Sequence, residues 1–205
     1  MVDKTVKNIG VTMVKTDMDN YPRYEMPEGF CITGYKDGYE NAWADIAKEQ
    51  FFLESVESGL EMFRSEFSSR GEKWERLKDS VLFAVEEATG EVAAILSLWE
   101  GGIFDTGEYR RIHWVATREK FRGKGIVKAM MTYALDLYHK QGSKGMCILA
   151  TGTQNWQAIR IYKKFGFEAW MDLPDQPKGA SFDPVEAEGW EIINGKIAEF
   201  DAKRK

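Results

Sequence analysis

The chain has 205 residues, 43% hydrophobic and 30% charged, with a net charge of −5. This is ordinary globular composition with enough apolar residues for a real core, and its acidic balance argues against general nucleic-acid binding. Cys31 and Cys147 are the only cysteines and there are two histidines, so a disulfide framework, a zinc site or another metal site is not expected.

The opening stretch MVDKTVKNIG lacks the charged-then-apolar run of a signal peptide, and no apolar segment approaches the ~20 residues that span a bilayer. The expectation is a soluble cytoplasmic protein with reduced thiols and no membrane partner. Residues 1–28 hold one short alternation, Ile9-Gly-Val11-Thr-Met13, followed by Asp, Asn and Pro punctuation. They read as an N-terminal arm or edge strand that leads into a single domain over 29–205. Phe30 to Tyr35 predicts the first strand of the main sheet.

Two helices follow. Ala42, Trp43, Ile46, Ala47 and Phe51 share one face, and Val56, Leu60, Phe63 and Phe67 recur at spacings of four, three and four. Their aromatics are read as core, and Ser58 to Glu61 as a capping box. Val81–Val85 and Val92–Leu96 flank Thr89-Gly90 and predict a hairpin. A loop at Gly101-Gly102 leads to a strand over Arg110–Thr117. An amphipathic helix runs from about Gly125 to Lys140, with Gly142 as its stop. A strand at Met146–Ala150, a helix from Asn155 to Phe165 closed by Gly166, and a strand at Phe167–Met171 come next. Residues 172–189 read as a loop, Trp190–Ile193 as a final strand and Asp201–Lys205 as a solvated tail. This order predicts an α/β protein, a mixed sheet with helices on both faces.

The chemistry concentrates between Trp114 and Ile126. A strand ends, a short loop passes, and a helix starts. The first N–H groups of a helix have no internal partners and carry positive potential. Gly123 and Gly125 let the backbone approach a phosphate, and Arg118, Lys120, Arg122, Lys124 and Lys128 surround them with cations. By itself this is an anion site or a solvated basic turn. The GxxxxGK[ST] and GxGxxG phosphate signatures are both absent.

Arg122-Gly-Lys-Gly125-Ile-Val127 resembles motif A of the GNAT superfamily of N-acetyltransferases, (Gln/Arg)-x-x-Gly-x-(Gly/Ala), with Val127 where Gly or Ala is usual. Asn155-Trp-Gln-Ala-Ile-Arg-Ile-Tyr162-Lys-Lys-Phe-Gly-Phe167 resembles the family's motif B helix. The likeness covers roughly residues 80–171 well, and 30–79 only by element order. It implies a GNAT fold, with a mixed sheet of about six to seven strands, here carrying the N-terminal arm.

It also implies an N-acetyltransferase that moves an acetyl group from acetyl-CoA directly to a primary amine of a small molecule or peptide. No metal is implied, and the protein is expected as a monomer or homodimer. By the same resemblance Arg122, Gly123, Lys124, Gly125 and Val127 hold the pyrophosphate. Val115 and Thr117 pair with the pantetheine arm, and Asn155 contacts it. Tyr162 is the general acid, since a phenol is protonated at neutral pH. The base is open. Arg111, His113, Val115 and Thr117 share a face by strand alternation, which makes His113 a candidate base or water-orienter. Arg111 is a candidate for a substrate carboxylate, and Glu54 and Glu57 for the amine. Tyr39, Trp43, Trp74, Trp170 and Trp190 are candidate pocket walls. The competing readings are a transferase for longer acyl chains and a non-enzymatic acyl-CoA sensor.

Overall fold

Period-two and period-3.6 patterns become the strands and helices they predict over most of the chain. The structure is a computed structural model and describes residues 2–51, 53–68, 80–100, 110–141, 145–170 and 184–204. Among these, the strands are β1 (Gly10–Lys15), β2 (Phe30–Thr33), β3 (Val81–Glu86), β4 (Val92–Glu100), β5 (Arg110–Thr117), β6 (Cys147–Gly152) and β7 (Glu168–Ala169). The helices are α1 (Tyr39–Phe51), α2 (Val56–Ser68), α3 (Ile126–Lys140), α4 (Trp156–Lys164) and α5 (Pro184–Ala202). The strands form one mixed seven-stranded sheet in the order β2-β3-β4-β5-β6-β1-β7, with β5 and β6 parallel. Among the described residues no helix is long and apolar enough to cross a membrane. The expected features at Gly101-Gly102, Trp74 and Gly142, and residues 172–183 of the loop expected over 172–189, lie outside the described residues, while 184–189 are helical and not a loop.

The chain divides into two compact units. One comprises Arg23–Trp99 and Ile112–Leu137 and is called here the loop unit. Its core gathers Trp43, Ile46, Phe63, Phe67, Val81, Phe83 and Ile95 from α1, α2, β3 and β4. The hairpin turns at Gly90, φ +72°, and Glu86 N–H donates to Glu91 C=O at 2.9 Å. The cap of α2 lies earlier than expected: Ser58 N–H donates to Ser55 Oγ at 3.1 Å, so Ser55 and not Ser58 opens the helix. A short Ser side chain reaches an amide three residues on, which is what a cap requires.

The two helices approach closely at Gly59, where an added Cβ would lie 2.8 Å from Ala44 Cβ and 2.9 Å from Ala44 O. Backbone cannot yield as a flexible side-chain tip does. Gly59→Ala is therefore expected to destabilise the protein by ~1–3 kcal/mol, read as a fall in melting temperature. An unchanged melt would mean that α1 and α2 separate freely.

The other unit, the helix unit, comprises Met1–Pro22, Glu100–Arg111 and Tyr138–Lys205. Here the expectations for both ends of the chain are corrected. The N-terminal segment is neither an arm nor an edge strand, because β1 pairs antiparallel with β6 on one side and β7 on the other. Its alternation is blurred because Val11, Met13, Val14 and Lys15 are all buried. A strand covered on both faces reads as a continuous run, not an alternation. The residues before it are tied down as well: Asp3 N–H donates to Gln154 C=O at 2.8 Å, and Trp156 Nε1 donates to Asp3 Oδ2 at 2.9 Å. Hydrogen bonds from Thr5 and Trp156 draw the Asp3 carboxyl down to about 2.

The second correction is at the C-terminus, where Trp190–Ile193 belongs to helix α5 and not to a strand. Pro184 is tolerated at the first helical turn, and Trp190 and Ile193 are buried three residues apart. Gly189 argued for a loop, but its role is packing: a Cβ there would lie 2.9 Å from Val11 Cγ1 of β1. Asp201, expected in a solvated tail, pairs with Arg160 of α4 at 2.6 Å.

Candidate functional site

In the loop unit, β5 ends at Thr117 and the chain makes a 3-10 turn over Glu119–Phe121, pinned by the buried Phe121 ring. Arg122 is extended, Gly123 and Gly125 take φ of +79° and +90°, and α3 starts at Ile126, which is buried. The first helical bonds run from the Lys128 and Ala129 amides to Gly125 C=O, at 3.0 and 3.3 Å. Among the described residues, the amides of Gly123, Lys124, Gly125, Ile126 and Val127 have no acceptor. Gly123, Lys124 and Gly125 are exposed. No side chain crowds the first glycine, since a Cβ on Gly123 would meet nothing within 4 Å. A run of unpaired donors at a helix N-terminus is a cradle for a phosphate-like anion.

The cations divide into two groups. Arg118 pairs with Asp45, and its Nε donates to Val92 C=O at 2.9 Å. Lys120 pairs with Glu91 at 2.6 Å, and Arg122 with Glu49 at 3.3 Å. Arg122 Nε also donates to Thr117 C=O at 3.4 Å, and its own amide is used by Glu119 C=O at 3.1 Å. These three side chains lash the loop to α1 and the hairpin. Among the described residues Lys124 and Lys128 have no carboxylate partner. Lys124 Nζ stands 5.2 Å from the Phe30 and Phe121 ring centres, and Lys128 Nζ 5.0 Å from that of Tyr24. Val127 is half-buried.

Upstream on β5, Trp114 has φ of 50°, the only positive φ outside glycine among the described residues. For a bulky residue inside a strand this is a strained conformation. It also breaks the alternation that placed His113 and Trp114 on opposite faces. Both rings reach the same aromatic cluster. His113 lies 5.3 Å from Trp99, while Trp114 lies 5.1 Å from Trp43 and 5.0 Å from Phe51. His113, Trp114 and Phe51 are half-buried, whereas Trp43 is fully buried and Trp99 nearly so. Val115 is half-buried, and Thr117 Oγ1 is buried with no hydrogen-bond partner among the described residues. Such an orphaned hydroxyl at a strand end suits a polar ligand that supplies the missing bond.

Nothing in the sequence sets Trp114 and Phe51 beside His113, because periodicity assigns Phe51 to core and alternation turns Trp114 away. Of the rings proposed as pocket walls, Trp43, Trp170 and Trp190 are buried and Tyr39 is half-buried.

In the helix unit, Asn155 stands at the N-cap of α4 without making a side-chain cap bond. Its Nδ2 donates to Thr151 Oγ1 at 3.3 Å. Tyr162 is 4% exposed on α4, 6.4 Å from the Phe167 ring. Burial alone pushes its phenol well above the ordinary tyrosine value. Gly166 closes the helix with φ of +82°. Among the described residues no group of three or more His, Cys, Asp or Glu is placed to hold a metal ion.

The acetyltransferase (GNAT) family model matches residues 41–167. The chain belongs to this family. The match takes in both the glycine loop and the α4 helix of this GNAT protein. An uncharacterized N-acetyltransferase of Methanocaldococcus jannaschii is 31% identical over 99 residues, which is 47% of this chain and 43% of that protein. A GCN5-related N-acetyltransferase from Sphaerobacter thermophilus has a TM-score of 0.62 at 23% identity, over 80% of this chain and 49% of that one. A tandem GNAT protein from the clavulanic acid biosynthesis pathway has a TM-score of 0.57 at 17% identity, over 78% of this chain and 50% of that one. These two structures are similar to this GNAT protein in fold. The chain spans half or less of the length of each of these three relatives.

Proposed function

We propose that this GNAT protein moves an acetyl group from acetyl-CoA directly to a primary amine of a small molecule or peptide. The observation that carries the reading is the run of unpaired amides from Gly123 to Val127 between two positive-φ glycines and the α3 N-terminus. These donors suit a pyrophosphate, with Lys124 adding charge and Arg122 holding the loop in shape. The backbones of Val115 and Thr117 and the side chain of Asn155 are assigned to the pantetheine arm.

In the reaction, the neutral amine nitrogen attacks the thioester carbonyl carbon, an N–C bond forms and the C–S bond breaks. His113, directly or through a water, accepts the proton that the amine gives up. Tyr162 delivers a proton to the departing sulfur. Burial keeps it protonated and so fit to donate. Arg111 is the candidate partner for a carboxylate on the acceptor, and Glu54 and Glu57 for its amine.

The test is a panel of amines with acetyl-CoA and longer acyl-CoAs, with thiol release as the readout. Amine-dependent thiol release fastest with acetyl-CoA supports the reading. Fastest release with a longer acyl-CoA assigns a different donor. CoA binding with no thiol release across the panel makes the protein an acyl-CoA sensor and removes the transferase reading.

A further inference from the structure

With the pyrophosphate at the Gly123–Val127 amides and the arm along β5, the position of the thioester follows from length. The arm spans roughly four extended residues, ~13 Å at ~3.3 Å each. Counted back from Thr117, that reaches His113 and Trp114. The acyl group therefore arrives beside the only non-glycine residue at positive φ among those described. There the loop unit presents rings. His113 and Trp114 are 4.6 Å apart at 50°, and Phe51, the last residue of α1, stands edge-on to Trp114 at 5.0 Å and 82°. All three are half-buried, so each keeps some surface for contact, while Trp43 behind them is sealed in the core. The three carboxylates of α1 are engaged elsewhere: Glu40 accepts from Tyr35 Oη at 2.7 Å, Asp45 holds Arg118, and Glu49 holds Arg122 and the Glu119 amide, which leaves Glu54 and Glu57, beyond the helix end, for a single amine. Polyamines and amino sugars need several acceptors and carboxylates to replace lost water. Rings instead offer flat apolar area and edge-to-face contacts.

We infer that the acceptor is an arylalkylamine, an amine on a planar apolar body, seated against Phe51, Trp114 and His113. This rests on the acetyl-CoA reading above, so the experiment separates the two. The probes are 2-phenylethylamine, putrescine and glucosamine, with kcat/KM from thiol release for each. Calorimetric binding of 2-phenylethylamine to the CoA-loaded protein is measured alongside.

The wild type is expected to prefer 2-phenylethylamine by tenfold or more, a ring-contact effect of the usual size. Phe51→Ala is expected to raise KM for 2-phenylethylamine about tenfold, leaving CoA affinity and kcat within about twofold, and Phe51→Tyr to restore KM. The melting temperature of each variant shows whether the fold is kept. Putrescine or glucosamine preferred over 2-phenylethylamine, or an equal loss for all three amines in Phe51→Ala, overturns the pocket assignment and leaves the transferase standing. Calorimetric binding of 2-phenylethylamine, lost in Phe51→Ala, with no thiol release from any amine retains the ring pocket and overturns the transferase reading.

Discussion

Gly125→Val is expected to weaken CoA binding a hundredfold or more, the equivalent of ~2.7 kcal/mol. The effect is conformational and not steric. A Cβ on Gly125 would meet only Pro27 Cγ, at 3.9 Å, which is ordinary contact. The obstacle is φ of +90°, which a β-branched residue can hold only at a cost of ~1–3 kcal/mol. If the loop keeps its shape, that cost falls on the fold. If it relaxes to negative φ, the amides of Gly125 and Ile126 swing off the anion and the cradle loses adjacent donors together. Gly125→Ala should therefore be nearly as harmful as Gly125→Val, because both bring the same backbone conflict. Calorimetric titration with CoA reads the loss, and thermal melting of the free protein shows how much of it is strain. Wild-type affinity in Gly125→Val removes the loop from CoA recognition.

The glycine loop was legible in the sequence because its signal is local. Gly123 and Gly125 encode a backbone conformation that few residues share, and the strand before and helix after have clear periods. The partition of its cations was not. Arg118, Lys120 and Arg122 meet Asp45, Glu91 and Glu49, which lie 73, 29 and 73 residues away in the chain. No spacing rule finds partners that distant.

Trp114 hid for a related reason. Strand alternation is a rule about regular φ, and one residue at φ 50° resets it, so a ring that alternation sets on the face opposite His113 stands half-buried beside it. The two ends of the chain misled through burial. β1 is covered so fully that its alternation faded. Helix α5 carries Gly189 and Gly195, which local propensity counts as breakers, although Gly189 lets the helix lie against Val11.

Tyr162→Phe is expected to lower kcat by ~10²-fold or more while CoA affinity stays within about twofold, since general-acid help is worth ~10²–10⁴ in rate. The substitution removes one oxygen and leaves the ring packed near Phe167. Stability should change little. Desolvation is the only cause of the shift of this phenol, and among the described residues no hydrogen bond holds it. Deleting a hydroxyl that makes no hydrogen bond leaves no partner unsatisfied, so the change is within about 1 kcal/mol. A variant that melts no lower yet turns over far more slowly separates a chemical role from a structural one.

The pH profile adds a second check. The folded pKa of Tyr162 is raised above the free value of 10.0, so the protonated phenol is favoured. Its contribution to stability is complete below that value and is lost only as pH rises through the higher folded pKa. Ionisation of Tyr162 therefore produces no alkaline fall in kcat below pH ~10, and any fall seen there belongs to another group. Tyr162→Phe should lower the whole kcat profile without moving that limb. Unchanged kcat removes Tyr162 as the acid. A limb near pH ~8–9 that disappears in the variant would place its phenol in contact with water and positive charge, against the burial that sets its pKa.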